Sequence, residues 1–119
     1  MALGTLNDFS LHSGDSLTLE VTVNDAAAAA VDITSATFIW VLSKKSTTSV
    51  APRGAAILTK ALASGVAIND GPTGRADITL DPADTASLDG TYYHELQMTN
   101  AGFVSTVLYG SVTIAKDIA

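Results

Sequence analysis

Asp81-Pro82-Ala83-Asp84-Thr85-Ala86-Ser87-Leu88-Asp89-Gly90-Thr91-Tyr92-Tyr93-His94-Glu95-Leu96-Gln97 is the stretch on which the reading of this chain turns. It reads as a one-turn helical corner feeding a long strand. The Asp81 carboxylate is placed to accept orphan backbone N–H groups of a short helix. Pro82 fits the first helical position, where its missing N–H costs nothing. Gly90 frees the backbone, and Tyr92 to Met98 alternates as an extended segment. In this reading Asp81 and Asp84 cap the corner, Leu88 plugs it, Gly90 allows the bend and Tyr92 locks it.

Outward from the corner the chain is strand after strand. On the C-terminal side, Asn100-Ala101-Gly102 suits a three-residue hairpin loop with Gly102 left-handed. Phe103 to Ala115 then returns antiparallel, and Gly110 predicts a bulge in so long a strand. On the N-terminal side, Arg75 to Leu80 is a strand with Ala76, Ile78 and Leu80 on one face. The dense turn signal Asn69-Asp70-Gly71-Pro72-Thr73-Gly74 precedes it. Gly65 to Ile68 and Ala56 to Leu62 are shorter strands. Ala36 to Ser43 carries Phe38, Trp40 and Leu42 on one face and Ile39 and Val41 on the other, the pattern of a strand covered on both sides. Ser43 to Gly54 reads as a polar loop. Ser16 to Asn24 alternates cleanly, with Leu17, Leu19, Val21 and Val23 inward. The alanine run after Asn24-Asp25 is far too short for a stable isolated helix and reads as a loop.

Seven to nine strands at a spacing of about 10 residues, with almost no helix, predict an all-β, antiparallel sandwich. The expected core is Leu19, Val21, Phe38, Trp40, Ile78, Leu80 and Leu96. Residues 1–8 read as an N-terminal arm without strand alternation, whose Leu3 and Leu6 are candidate assembly contacts. Residues 9–119 read as one domain, and deletion of the arm is expected to leave that domain folded.

Composition narrows the function classes. The 119 residues are 47% hydrophobic and only 15% charged, which excludes a charge-rich disordered tail. A net charge of −6 without a basic stripe argues against nucleic-acid binding. Lys44, Lys45, Arg53 and Lys60 form the basic region and read as a solvated loop. The absence of cysteine removes disulfides and thiolate chemistry. No run approaches the length of a membrane span. The N-terminus lacks the pattern of a signal peptide, so the product is expected to fold and stay soluble where it is made.

Catalytic and metal constellations are sparse. His12 reads as exposed before a turn, and His94 as a structural histidine facing the core or a subunit boundary. Glu95 points to the opposite face of the strand. Asp70, Asp77, Asp81, Asp84 and Asp89 read as turn and cap residues, because their spacing is not that of a calcium loop. Gly71-Pro72-Thr73-Gly74-Arg75 opens a strand, not a helix, and so is no phosphate cradle. Tyr92, Tyr93, Phe103 and Tyr109 read as sheet packing, with an aromatic sugar platform as the alternative. No enzyme activity and no cofactor are expected.

Two resemblances add to this. The order Asp84-Thr85-Ala86-Ser87-Leu88-Asp89-Gly90-Thr91-Tyr92 resembles the tyrosine corner of immunoglobulin-like domains, whose Tyr hydroxyl bonds back to the corner backbone. Trp40 lies where such domains carry an inward Trp. His94, two residues after the Tyr, stands where they carry a disulfide cysteine.

The wider set is Gly14-Asp15, Val31-Asp32-Ile33-Thr34-Ser35-Ala36-Thr37-Phe38, Ile57-Leu58-Thr59-Lys60, Gly65-Val66, Asp70, Gly74, Ile78-Thr79-Leu80, Asp84-Thr85, Leu88, Gly90, Tyr92 and Glu95-Leu96. Over residues 9–114 it resembles small β-sandwich modules of tailed-phage virions, such as the N-terminal domain of baseplate upper proteins and head or tail accessory proteins. The resemblance implies a capsid decoration or cement protein. Its partners would be the major capsid protein, or tail and neck proteins, together with copies of itself. A neck, tail or baseplate accessory role comes next, and a carbohydrate-binding or adhesion module is the alternative of another class.

Overall fold

The computed structural model describes residues 5–44 and 56–116. Leu3, Lys45 and Arg53 lie outside them. Among the described residues, nine strands form one sheet: β1 (Thr5–Leu6), β2 (Phe9–His12), β3 (Leu17–Thr22), β4 (Thr37–Lys44), β5 (Leu58–Leu62), β6 (Gly65–Asp70), β7 (Arg75–Leu80), β8 (Gly90–Asn100) and β9 (Phe103–Ala115). One short helix, α1 (Pro82–Thr85), interrupts them. The fold is all-β. The strand order is β1-β9-β8-β4-β5-β6-β7-β3, with β2 also paired to β9.

The sheet is mixed rather than wholly antiparallel. β1 and β2 run parallel to β9, and β5 runs parallel to β6. The β5–β6 pairing spans only Ala61↔Gly65 and Leu62↔Val66. It therefore joins two well-paired groups: β3-β7-β6, and β5-β4-β8-β9 with β1 and β2. The sheet curls, and apolar residues of both groups meet in one core. Phe38, Trp40, Leu42, Leu96, Met98, Val112 and Ile114 come from one group, and Val21, Val66, Ala76, Ile78 and Leu80 from the other. Trp40 is fully buried on β4, the strand flanked by β5 and β8. Leu19 is half-buried and packs on the rim of this core.

Three local readings differ from the structure. The β8–β9 turn has two central residues, because Asn100 pairs with Phe103. Ala101 (φ 52°) and Gly102 (φ 84°) are both left-handed, the twist that a two-residue hairpin needs. The irregularity in β9 lies at Val107, where the register passes from Leu96↔Leu108 to Gln97↔Thr106, and not at Gly110. The extra residue switches which side chains of β9 face outward. Part of the expected arm, Thr5–Leu6, is strand β1, because β9 offers a free edge that it can pair with.

Candidate functional site

The corner is built from α1 and its flanks. Asp84 N–H donates to the Asp81 carbonyl at 2.9 Å, and Asp81 N–H donates to Asp84 Oδ2 at 2.7 Å. Asp81 is the N-cap of α1, and the Asp84 carboxylate, reaching back to the Asp81 N–H, is the other side of a capping box. Its second load is Lys60 of β5, whose Nζ lies 2.8 Å from Asp84 Oδ2. Burial pushes the Asp84 carboxyl up, but Lys60 and the Asp81 N–H outweigh it and hold the group below the ordinary value. Lys60 is therefore a structural cation, not part of a solvated loop. Leu88 packs at the core's margin, and Gly90 takes φ 116° as β8 begins. The Tyr92 ring is buried, and its hydroxyl donates to the Asp89 carbonyl at 2.8 Å. Thr85 is fully buried, and its Oγ1 accepts the Gly14 N–H at 2.9 Å, tying α1 to the β2–β3 turn. Sequence reading passed over Thr85, since a lone threonine in a cap carries no pattern.

The second feature surrounds His94, which is fully buried on β8. Its Nδ1 accepts the Trp40 Nε1–H at 3.1 Å. That leaves Nε2 to carry the proton, and it donates to the Asn7 carbonyl at 2.5 Å. Both ring nitrogens are used, and the ring is the neutral Nε2–H tautomer. Phe9 of β2 meets the imidazole edge-on at 4.9 Å. Burial pushes the His94 imidazole below the usual histidine value, against the opposing pull of the Asn7 carbonyl and the Asp8 charge.

Gly110 is directly opposite His94 on β9. A Cβ there would collide with the Asn7 carbonyl and approach Asp8 Oδ1 to 2.6 Å. The missing side chain is what lets residues 7–8 lean in over Gly110 as the segment runs along the β9 edge from β1 to β2. Asp8 Oδ1 accepts the Ser111 N–H at 2.8 Å, and Asn7 N–H donates to the Tyr109 carbonyl at 2.7 Å. The partition of the chain at residues 8 and 9 cuts through this arrangement, and deleting residues 1–8 would strip His94 of its acceptor.

The third feature is the outer face of β1, β9, β8, β4 and β5. Strand register sets Leu6 beside Tyr109, then Glu95, Val41 and Thr59 in one row. Thr106, Gln97, Ile39 and Ala61 form the next. Among these side chains the one charge is Glu95. Its Oε2 accepts the Tyr93 hydroxyl at 3.2 Å, and its Oε1 accepts the Thr106 hydroxyl at 3.4 Å. Burial, and then the nearby Glu95 and Tyr109, push the Tyr93 hydroxyl above its ordinary value. Leu6 is 61% exposed, Phe103 64% and Val104 54%, the last two at the β9 end of the hairpin. Of the aromatic set, Tyr92 faces the core and Phe103 sits at the hairpin tip, while Tyr93 and Tyr109 share the outer face.

The remaining candidates do not converge. His12 is exposed at the end of β2. Among the described residues no group of three or more His, Cys, Asp or Glu side chains is placed to hold a metal ion. A small open pocket of about 60 Å³ lies against Glu20, Thr22, Asn69, Arg75 and Asp77. It is well below the size of a typical small-molecule site. No helix of the described residues is long and apolar enough to cross a membrane. No family model matches the chain, and no curated protein sequence matches it.

Proposed function

We propose that this chain is a non-enzymatic structural module of a tailed-phage virion, an immunoglobulin-like sandwich acting as a capsid decoration protein on the assembled shell. The sandwich reading rests on the two strand groups, β3-β7-β6 and β5-β4-β8-β9 with the N-terminal strands, which pack on one core and are paired along the sheet only at two residues each of β5 and β6. Trp40 at the centre and the Tyr92 hydroxyl bond at the corner support the same reading. The virion reading rests on the resemblance over residues 9–114.

The observation that carries the assembly role is the outer face. Large apolar side chains, Leu6, Tyr109 and Val104, stand exposed along β1 and β9 beside a nearly uncharged sheet surface, and Phe103 is exposed at the hairpin tip. Depletion of charge around exposed apolar and aromatic residues marks the centre of protein interfaces. The partners are then the major capsid protein and further copies of this chain. Location in the host cytoplasm before assembly, and in the virion after it, goes with this reading.

Counting copies per particle by quantitative mass spectrometry tests it. Copies on the order of one per capsid subunit fit decoration. A small symmetric number places the chain at a neck, tail or baseplate instead, and absence from particles sinks the virion reading. Tyr93 and Tyr109 flanking the oriented Glu95 carboxylate favour one other reading, a carbohydrate-binding face. A glycan screen of wild type against Tyr93→Ala and Tyr109→Ala tests that reading. Tyr92 is buried in the core and has no part in such a face.

A further inference from the structure

We propose that His94 is an acid-sensitive latch on the N-terminal strand: protonation of its ring releases residues 5–8 from β9 while the rest of the sheet stays paired. The geometry carries this. His94 is the joint between the interior and the N-terminal segment, with Trp40 Nε1–H on one nitrogen and the Asn7 carbonyl on the other. A second proton has one place to go, Nδ1, and that nitrogen faces a donor. The protonated ring would set N–H against N–H, so the ring must turn, and turning withdraws Nε2–H from Asn7.

The segment it holds is lightly anchored. β1 is two residues long and pairs only with β9, and Leu6 beside it is exposed. Asn7 Oδ1 is buried without a hydrogen-bond partner, a standing cost to the closed state. The groups facing the ring offer little to hold a charged imidazole. From β4 comes neutral Trp40, from β2 neutral Phe9 and from β9 Gly110. Asp8, the one ionised group acting on the ring, is engaged with Ser111 N–H. Lys44, on the same face of β4 beyond Leu42, is exposed at the strand's end.

Release would free the β9 edge from Leu108 to Gly110, a place where another chain's strand can add. The occluded edge at neutral pH and the open edge in acid are then two states of one surface.

Hydrogen exchange on the full chain, expressed as protection factors, tests the latch. The Asn7 amide, bonded to Tyr109, is expected to lose protection by about tenfold per pH unit below about pH 6.5, until the folded ring itself takes the proton. Amides of β7 paired with β3, such as Ile78, are expected to stay far more protected than Asn7 at every pH, because they exchange through unfolding of the whole sheet. His94→Gln, whose amide can accept from Trp40 and donate to Asn7 without titrating, is expected to abolish the pH response. Unchanged protection of Asn7 between pH 7.5 and pH 5, or β7 amides that exchange no more slowly than Asn7, overturns the proposal. So does a His94→Gln variant that keeps the full response. Should that variant not fold, an NMR titration of the wild-type His94 ring decides: a ring that titrates at or above about 6.5 with Asn7 still protected overturns the latch.

Discussion

Tyr92→Phe removes one hydroxyl and nothing else from the corner. The lost bond to the Asp89 carbonyl should cost about 1 kcal/mol, the usual net worth of a hydrogen bond. Urea denaturation of the purified domain checks this, and an unchanged midpoint would remove Tyr92 as the lock. Gly110→Ala is a harsher change, although it adds a single methyl group. The new Cβ would meet the backbone of Asn7, which cannot step aside as a side-chain tip can. Expulsion of β1 and loss of the His94–Asn7 bond are expected, at a cost of about 2–4 kcal/mol. A crystal structure or amide exchange of the variant with residues 5–8 still seated would contradict it. At this scale the sequence was partly legible. Tyr92 and Gly90 announce themselves by spacing within a known corner. Gly110 announces a backbone peculiarity but not which one, since the chain it makes room for lies about a hundred residues away.

Among the elements, the β3–β7 pair holds a visible conflict. Glu20 stands directly opposite Asp77 in the antiparallel register. Like charges directly opposite destabilise a sheet, and opposite charges support it. Glu20→Lys should therefore raise stability by about 0.5 kcal/mol, read as a higher thermal midpoint at low salt and a smaller gain at high salt. In the β8–β9 hairpin, Ala101 holds φ 52° without the freedom of glycine. Ala101→Asn gives the Asn-Gly pair such a turn prefers, and a gain of about 0.5 kcal/mol in urea denaturation is expected.

Alternation and turn chemistry made β3, β4, β7, β8 and β9 readable from the chain alone. β1 was not readable, because two residues carry no period and its partner strand is the last in the sequence. The parallel β5–β6 contact was invisible for the same reason: pairing partners are tertiary choices. The two-residue turn shows how close the sequence came, since Asn100-Ala101-Gly102 marks the turn but leaves its register open by one residue.

For the whole molecule, acid is the informative perturbation. The His94 ring is held neutral, so the unfolded chain binds a proton near pH 6.5 that the folded chain refuses. The stability this ring contributes is present above that pH and is lost as the pH falls below it, by up to about 1.4 kcal/mol per pH unit while the folded ring stays unprotonated. Asp84 acts in a lower window. Its carboxyl is held below the ordinary value, so its contribution is present above about pH 4 and is lost as the pH falls through the folded value. Denaturation curves at pH 7.5, 6.0 and 5.0 should fall progressively in wild type and stay flat over that range in His94→Gln. On the proposed decoration role, Leu6→Ser with Tyr109→Ser at the surface should leave the thermal midpoint of the isolated domain nearly unchanged and weaken binding to the shell. Co-sedimentation with shells measures the second effect, and undiminished binding would remove that face as the contact.

The sequence by itself determined that this protein is all-β, where its long strands lie, which residues line its core and where its corner turns. These follow from period, turn chemistry and burial preference, which act over a few neighbouring residues. The tertiary structure decided how the strands meet. It set β1 and β2 parallel to β9, brought Lys60 to Asp84, and placed Asn7 over Gly110 against the buried ring of His94. Those contacts join residues far apart in the chain, and their energy depends on geometry that no local pattern encodes. The corner at Asp81 to Gln97 proved to hold both kinds of feature: a lock at Tyr92 written locally, and two residues further on a histidine whose role exists only once the N-terminal segment has paired along β9 and brought Asn7 to its ring.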